Sequence, residues 1–116
     1  MNLSEIRKSA FLARKSFESG SVDYSFLSKL YSKYNRVKNI GSFIEKSKNI
    51  FPHLNCGLTS VYLKSVFSGG KIINGKYKNH NHTFLLSGNK IIVDITADQY
   101  SGPKVYAGLL KKPWSL

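Results

Sequence analysis

The sequence predicts an α+β domain in which N-terminal helices and one cysteine-bearing helix pack on a small antiparallel β-sheet. Apolar residues recur every three to four positions through the first half of the chain, which is the period of a helix face. After the Gly69-Gly70 pair the period shortens to strand-like runs rich in β-branched and large apolar residues. Two of those runs are joined by Ser87-Gly88-Asn89, a tight-turn sequence that makes them an antiparallel hairpin. With 116 residues the chain can build one core and is too short for two. Positions 1–52 read as the helical part and positions 53–116 as the cysteine-bearing helix plus sheet of a single domain.

The first helix takes Leu3, Ile6, Ala10, Ala13 and Phe17 as its apolar stripe, turns Arg7, Lys8, Arg14 and Lys15 mostly to solvent, and ends at Gly20. A second runs from Asp23, a residue suited to an N-cap, to about Val37, with Leu27, Leu30, Tyr31 and Tyr34 on its buried side. Ser42 and Glu45 fit a reciprocal capping box for a third helix that reaches Ile50 and is stopped by Pro52. Cys56 opens the fourth, whose face is Leu58, Val61, Tyr62 and Val66. Lys71-Ile72-Ile73 is then a short strand, with Gly75 at a turn or bulge. The hairpin follows, from His82 to Leu86 and from Lys90 to Ile95. Gly102-Pro103 turns the chain into a last strand, and Trp114 reads as a plug over the sheet edge rather than a binding residue.

Hydrophobic residues at 41% and aromatics at 13% are those of a folded chain, not a disordered one. No apolar run approaches the ~20 residues that cross a bilayer, and the N-terminus lacks the apolar core of a secretory signal. The expectation is a protein of the cytoplasm, or one delivered into a target cell, without membrane insertion. The net charge of +12 is spread along the chain and would attract nucleic acid, an acidic protein or anionic lipid. A single cysteine rules out an intramolecular disulfide. The alternation of tyrosine and base from Tyr31 to Arg36 has the composition of a base-stacking surface, but Tyr31 and Tyr34 fall on the side of Leu27 and Leu30 and read as core. His53, Cys56, His80 and His82 lack the second cysteine or the i, i+4 histidine pair of a zinc site, so neither metal nor other cofactor is expected.

Cys56 falls in a first helical turn, where unsatisfied amides and the positive end of the helix dipole stabilise a thiolate. Taken singly, Cys56 reads as a small buried hydrophobe, His82 as a hydrogen-bonded strand histidine and Asp94 as a turn residue. Their order on these elements changes the balance. A hairpin with a short loop makes the far ends of its strands neighbours, which brings His82 to Asp94. A helix laid across the sheet can aim its N-terminus at the strand edge. A carboxylate on one imidazole nitrogen fixes the tautomer and leaves the other nitrogen to take the thiol proton.

A cysteine opening a helix, His82-Thr83-Phe84 on a strand, and Ile91-Ile92-Val93-Asp94-Ile95-Thr96-Ala97-Asp98-Gln99-Tyr100 after it resemble the papain-like superfamily. The likeness is to its transglutaminase-like and arylamine-acetyltransferase-like forms and to small papain-fold domains of bacterial effectors and toxins. It covers about half the chain. It implies Cys56 as nucleophile, His82 as general base and acid, and Asp94 as orienter. The activity implied is that of a thiol-dependent hydrolase or acyl transferase: a peptidase, amidase, deamidase or transglutaminase. No glutamine precedes Cys56 at the usual short distance, which leaves the oxyanion or substrate contacts to Asn55, the Cys56 backbone amide or Gln99. His80 is the alternative base, less favoured because the aromatic follows His82.

So small a domain has little surface for an extended peptide groove, and its charge points to an acidic protein substrate or an acidic inhibitor such as an immunity protein. A reading from another class is a basic RNA-binding or RNA-cleaving domain. There His80 and His82 would do acid–base work on a phosphodiester beside Lys76, Lys78 or Lys90. A binding module that keeps the shape without the chemistry is the third.

Overall fold

The computed structural model describes residues 1–88 and 90–116. Four helices, α1 (Leu3–Ser19), α2 (Tyr24–Tyr34), α3 (Ile40–Ile50) and α4 (Cys56–Val66), precede five strands. These are β1 (Lys71–Tyr77), β2 (His80–Ser87), β3 (Ile91–Asp94), β4 (Tyr106–Leu109) and β5 (Trp114–Ser115), with a one-turn 3-10 helix at Ala97–Tyr100 after β3. The strands form one sheet in the order β4-β3-β2-β1-β5, antiparallel at every junction. The architecture is α+β, and among the described residues no helix is long and apolar enough to cross a membrane.

Local chemistry explains most helix ends. Asn2 and Glu5 form a reciprocal capping box at the start of α1, and Gly20 closes it in the left-handed conformation, φ 71°. Asp23 accepts the Phe26 amide at the start of α2. That helix stops at Tyr34, short of Val37, because Asn35 is already extended at φ −139°. Helix α3 departs from expectation. Asn39 caps it by accepting the Ser42 amide, so Ser42 lies inside the first turn and the Ser42–Glu45 box does not form.

Side chains alternate across the sheet and divide the core in two. Leu85, Val93 and Ala107 face the helices and pack with Ile6, Phe17, Leu27, Leu58 and Leu63. Phe84 and Ile92 point the other way, where Tyr77, Ala97 and Trp114 complete a second, smaller cluster. Gly75 lies within β1, whose pairing to β2 runs unbroken from Lys71 with Leu86 to Tyr77 with His80, so there is neither turn nor bulge at Gly75. The turn comes at Lys78 and Asn79, with Lys78 at φ 54°. A Cβ on Gly75 would collide with the Ser115 carbonyl, so this glycine admits β5 against β1. Of the expected turn Ser87-Gly88-Asn89, Asn89 lies outside the described residues; β2 nonetheless pairs with β3 as a hairpin, Ser87 opposite Ile91.

Two solvent assignments are also corrected. Arg14 is buried, because its guanidinium grips both oxygens of Asp98 at 2.7 and 2.9 Å and the Ile95 carbonyl at 2.9 Å, with the Phe51 ring beneath it. It thereby ties α1 to the segment that follows β3. Tyr34 is half exposed rather than core, since α2 ends there.

Candidate active site

The β2–β3 register pairs Leu85 with Val93 and Leu86 with Ile92. Extended by one residue it sets Asp94 opposite Phe84, so His82 and Asp94 share a face on the diagonal, within reach of side chains of this length. Both are buried, and His82 Nε2 lies 2.7 Å from Asp94 Oδ2. The same oxygen accepts the Trp114 indole N–H at 2.8 Å. The other oxygen accepts the Thr96 amide at 2.9 Å, with the Thr96 hydroxyl at 3.4 Å. Asp94 is thus held by three side chains and a backbone amide, and it leaves His82 with Nδ1 free of the carboxylate.

Strand β2 is longer than β3, so its first residues pair with β1 alone. Helix α4 packs on β2, and its first residue, Cys56, lines a cavity with the start of that strand, together with His82 and Thr83. Burial pushes the thiol pKa up, but hydrogen bonding and charge from His82, with Thr83, outweigh it and hold the group below its ordinary value. The effects on His82 mirror these. Burial pushes its pKa down, yet hydrogen bonds to Asp94 and then Cys56 raise it to about 9. Opposite shifts on neighbouring groups move the pair toward thiolate and imidazolium.

The remaining candidates separate. Asn55 is buried and donates its amide hydrogens to the carbonyls of Ser47 at 2.9 Å and His53 at 2.8 Å. Its side chain secures the α3–α4 turn, and its amide hydrogens are engaged there. It also gives α4 no side-chain cap, so the first-turn amides, Cys56's among them, take no partner from it. Gln99 reaches the imidazole, its Nε2 3.4 Å from His82 Nδ1. His80 is exposed and stacked on Tyr100 at 4.3 Å, away from the carboxylate that His82 engages. Tyr100 also stands edge-on to His82 at 5.5 Å and donates its hydroxyl to the Asn81 carbonyl. Among the described residues no three His, Cys, Asp or Glu side chains gather as a metal-ligand set.

Cys56 sits between two cavities. One, about 440 Å³, is walled by α2, α3, α4 and the sheet through Tyr31, Phe43, Leu54, Val61 and Ile72. The other, about 400 Å³, is lined by Asn74, Gly75, Asn81, His82 and Thr83.

Three contributors escaped the sequence reading. Trp114 is a buried plug on the edge strand, as expected, but its N–H also fixes Asp94. A buried indole requires an acceptor, and that requirement was the available signal. Thr96 could have been found from Asp-x-Thr, since an aspartate readily accepts the amide two residues on. Tyr31 packs against the core, as its helix face predicts, and also on Phe43 and the helix backbone at Gly57, beside Cys56. Set against known proteins, the chain matches no family model, no curated protein and no solved structure.

Proposed function

We propose that this protein is a thiol-dependent hydrolase or acyl transferase of papain-like type, with Cys56 as nucleophile, His82 as base and acid, and Asp94 as orienter. One observation carries the reading. A helix N-terminus and two strands bring together a thiol of lowered pKa and an imidazole whose Nε2 is bound to a buried carboxylate. The carboxylate sets the tautomer, and Nδ1 exchanges the proton with sulfur.

Catalysis then runs in two halves. Sγ attacks the carbonyl carbon, and the C=O π electrons move to oxygen as the C–S bond forms. Collapse of that oxyanion expels the leaving group, which takes the proton from His82 Nδ1 and leaves a thioester. Water or a second nucleophile attacks the thioester, gives its proton to Nδ1 and releases the thiolate. The Cys56 backbone amide and the Gln99 side-chain amide are the proposed oxyanion donors. The surplus positive charge suits an acidic protein target or an acidic inhibitor, as an effector or toxin with an immunity protein would have.

Iodoacetamide labelling at about pH 6, followed by mass spectrometry, tests the site, because an ordinary thiol barely reacts there. Cys56 is expected to label at least about tenfold faster than free cysteine, and His82→Ala to abolish the advantage. Labelling no faster than free cysteine refutes the proposal. RNA cleavage that survives in Cys56→Ser would instead favour the ribonuclease reading.

A further inference from the structure

We propose that the acyl portion of the substrate is a neutral aromatic or branched apolar group, seated in the cavity walled by Tyr31, Phe43, Leu54 and Ile72. This rests on the thiol-dependent mechanism above and gives it a substrate class. Cys56, Asn74 and Thr83 line both cavities and form the divide between them. When Sγ attacks a carbonyl carbon standing over that divide, the two substituents of the carbonyl must point into opposite cavities. The leaving group takes its proton from His82, and His82 lines only the second cavity. The leaving group therefore lies on the side of Asn81 and His82, and the acyl group falls to the other side.

The character of that other side sets the acyl chemistry. Tyr31 and Phe43 stack at 5.3 Å and form an aromatic wall, Leu54, Val61 and Ile72 supply aliphatic surface, and the polar groups, from Tyr34, Asn35, Asn74 and Thr83, are uncharged. A volume of about 440 Å³ has room for a ring-sized side chain. Although the chain has 18 lysines and arginines, no lysine, arginine, aspartate or glutamate among the described residues lines this cavity. A carboxylate or ammonium placed there would lose its hydration without a lysine, arginine, aspartate or glutamate to pair with, whereas an apolar ring replaces water at a gain. Phenols border the thiol as well. The pKa of Tyr31 is raised by burial first and then by the Cys56 charge, which places the aromatic wall within the field of the nucleophile.

The test compares rates of Cys56 labelling by N-acetyl-phenylalanyl, N-acetyl-leucyl, N-acetyl-aspartyl and N-acetyl-lysyl chloromethyl ketones, each as a ratio to iodoacetamide. The phenylalanyl and leucyl probes are expected to exceed the aspartyl and lysyl probes by about tenfold or more, the usual discrimination of an apolar pocket. Tyr34→Glu, a change at the half-exposed rim, is expected to raise the lysyl ratio relative to the phenylalanyl ratio. Equal ratios for all four probes, with iodoacetamide still fast, overturn the acyl-group assignment while leaving the nucleophile in place. Slow iodoacetamide labelling overturns the nucleophile itself and this assignment with it.

Discussion

Replacing Asp94 by asparagine should damage both stability and the charge state of the site, and the size of the effect follows from its contacts. Oδ2 accepts from His82 and Trp114, and Oδ1 accepts from Thr96. An amide has one acceptor oxygen, so in either orientation its NH2 group faces buried donors. Each donor left unpaired costs about 1–3 kcal/mol. Removing the charged partner of a buried pair costs about 3–5 kcal/mol in all, a large share of the stability of a domain this size.

The pH dependence separates the charge from the packing. His82 is raised from 6.5 to about 9, so its contribution is fully present below about pH 6.5 and is lost as pH rises through the folded value. Cys56 is shifted the other way, and its contribution is present above its unfolded pKa and lost as pH falls through the lowered one. The comparison is therefore made in a Cys56→Ser background, where His82 is still raised by Asp94. Urea unfolding should give a gap between the Asp94 protein and Asp94→Asn that is widest near about pH 6 and narrows toward about pH 9. A gap under about 1 kcal/mol, or one that does not narrow with pH, would refute the reasoning.

Two further substitutions probe the parts that hold the carboxylate. Trp114→Phe keeps an aromatic ring against Tyr106, 4.2 Å away, but deletes the N–H that reaches Asp94. It should cost about 1–2 kcal/mol in chemical unfolding, and a melting curve that does not move contradicts the role. Gly75→Ala pushes a Cβ into the Ser115 carbonyl and to 3.1 Å from the Phe84 ring, which should displace β5 and cost about 1–3 kcal/mol. Emission from the single tryptophan should shift to the red as Trp114 is exposed; unchanged emission and stability would show that β5 yields without leaving.

What the sequence made legible follows the range of the interactions. The α1 stripe and the approach of His82 to Asp94 are local matters of period and parity, and the structure has both. The α3 cap is local too, yet Asn39 and Ser42 are both good capping residues. What pins the far end of that helix is Asn55, through the Ser47 carbonyl, which lies beyond any capping pattern. Arg14 and Gly75 were misread for a different reason. Their partners, Asp98 and Ser115, lie far along the chain, so a helix pattern assigns the arginine to solvent and a strand pattern assigns the glycine to a break. Trp114 stood between these cases: burial could be expected from the residue type, but its acceptor could not be named without the fold.

Charge and chemistry also part company once the lysines are placed. A phosphodiester held for acid–base cleavage needs cations beside the histidines. Among the described residues, neither cavity that adjoins Cys56 is lined by a lysine or arginine. Lys90 lies past Ser87, at the opposite end of β2 from His82, so about 16 Å of strand separates it from the imidazole. Lys78 sits in the β1–β2 turn with its ammonium over the Tyr77 ring, and His80 is stacked on Tyr100. His82 has one nitrogen committed to Asp94, its other nitrogen lies 3.4 Å from the Gln99 amide, and Cys56 lines the same cavity. These placements weigh against phosphodiester cleavage at this histidine.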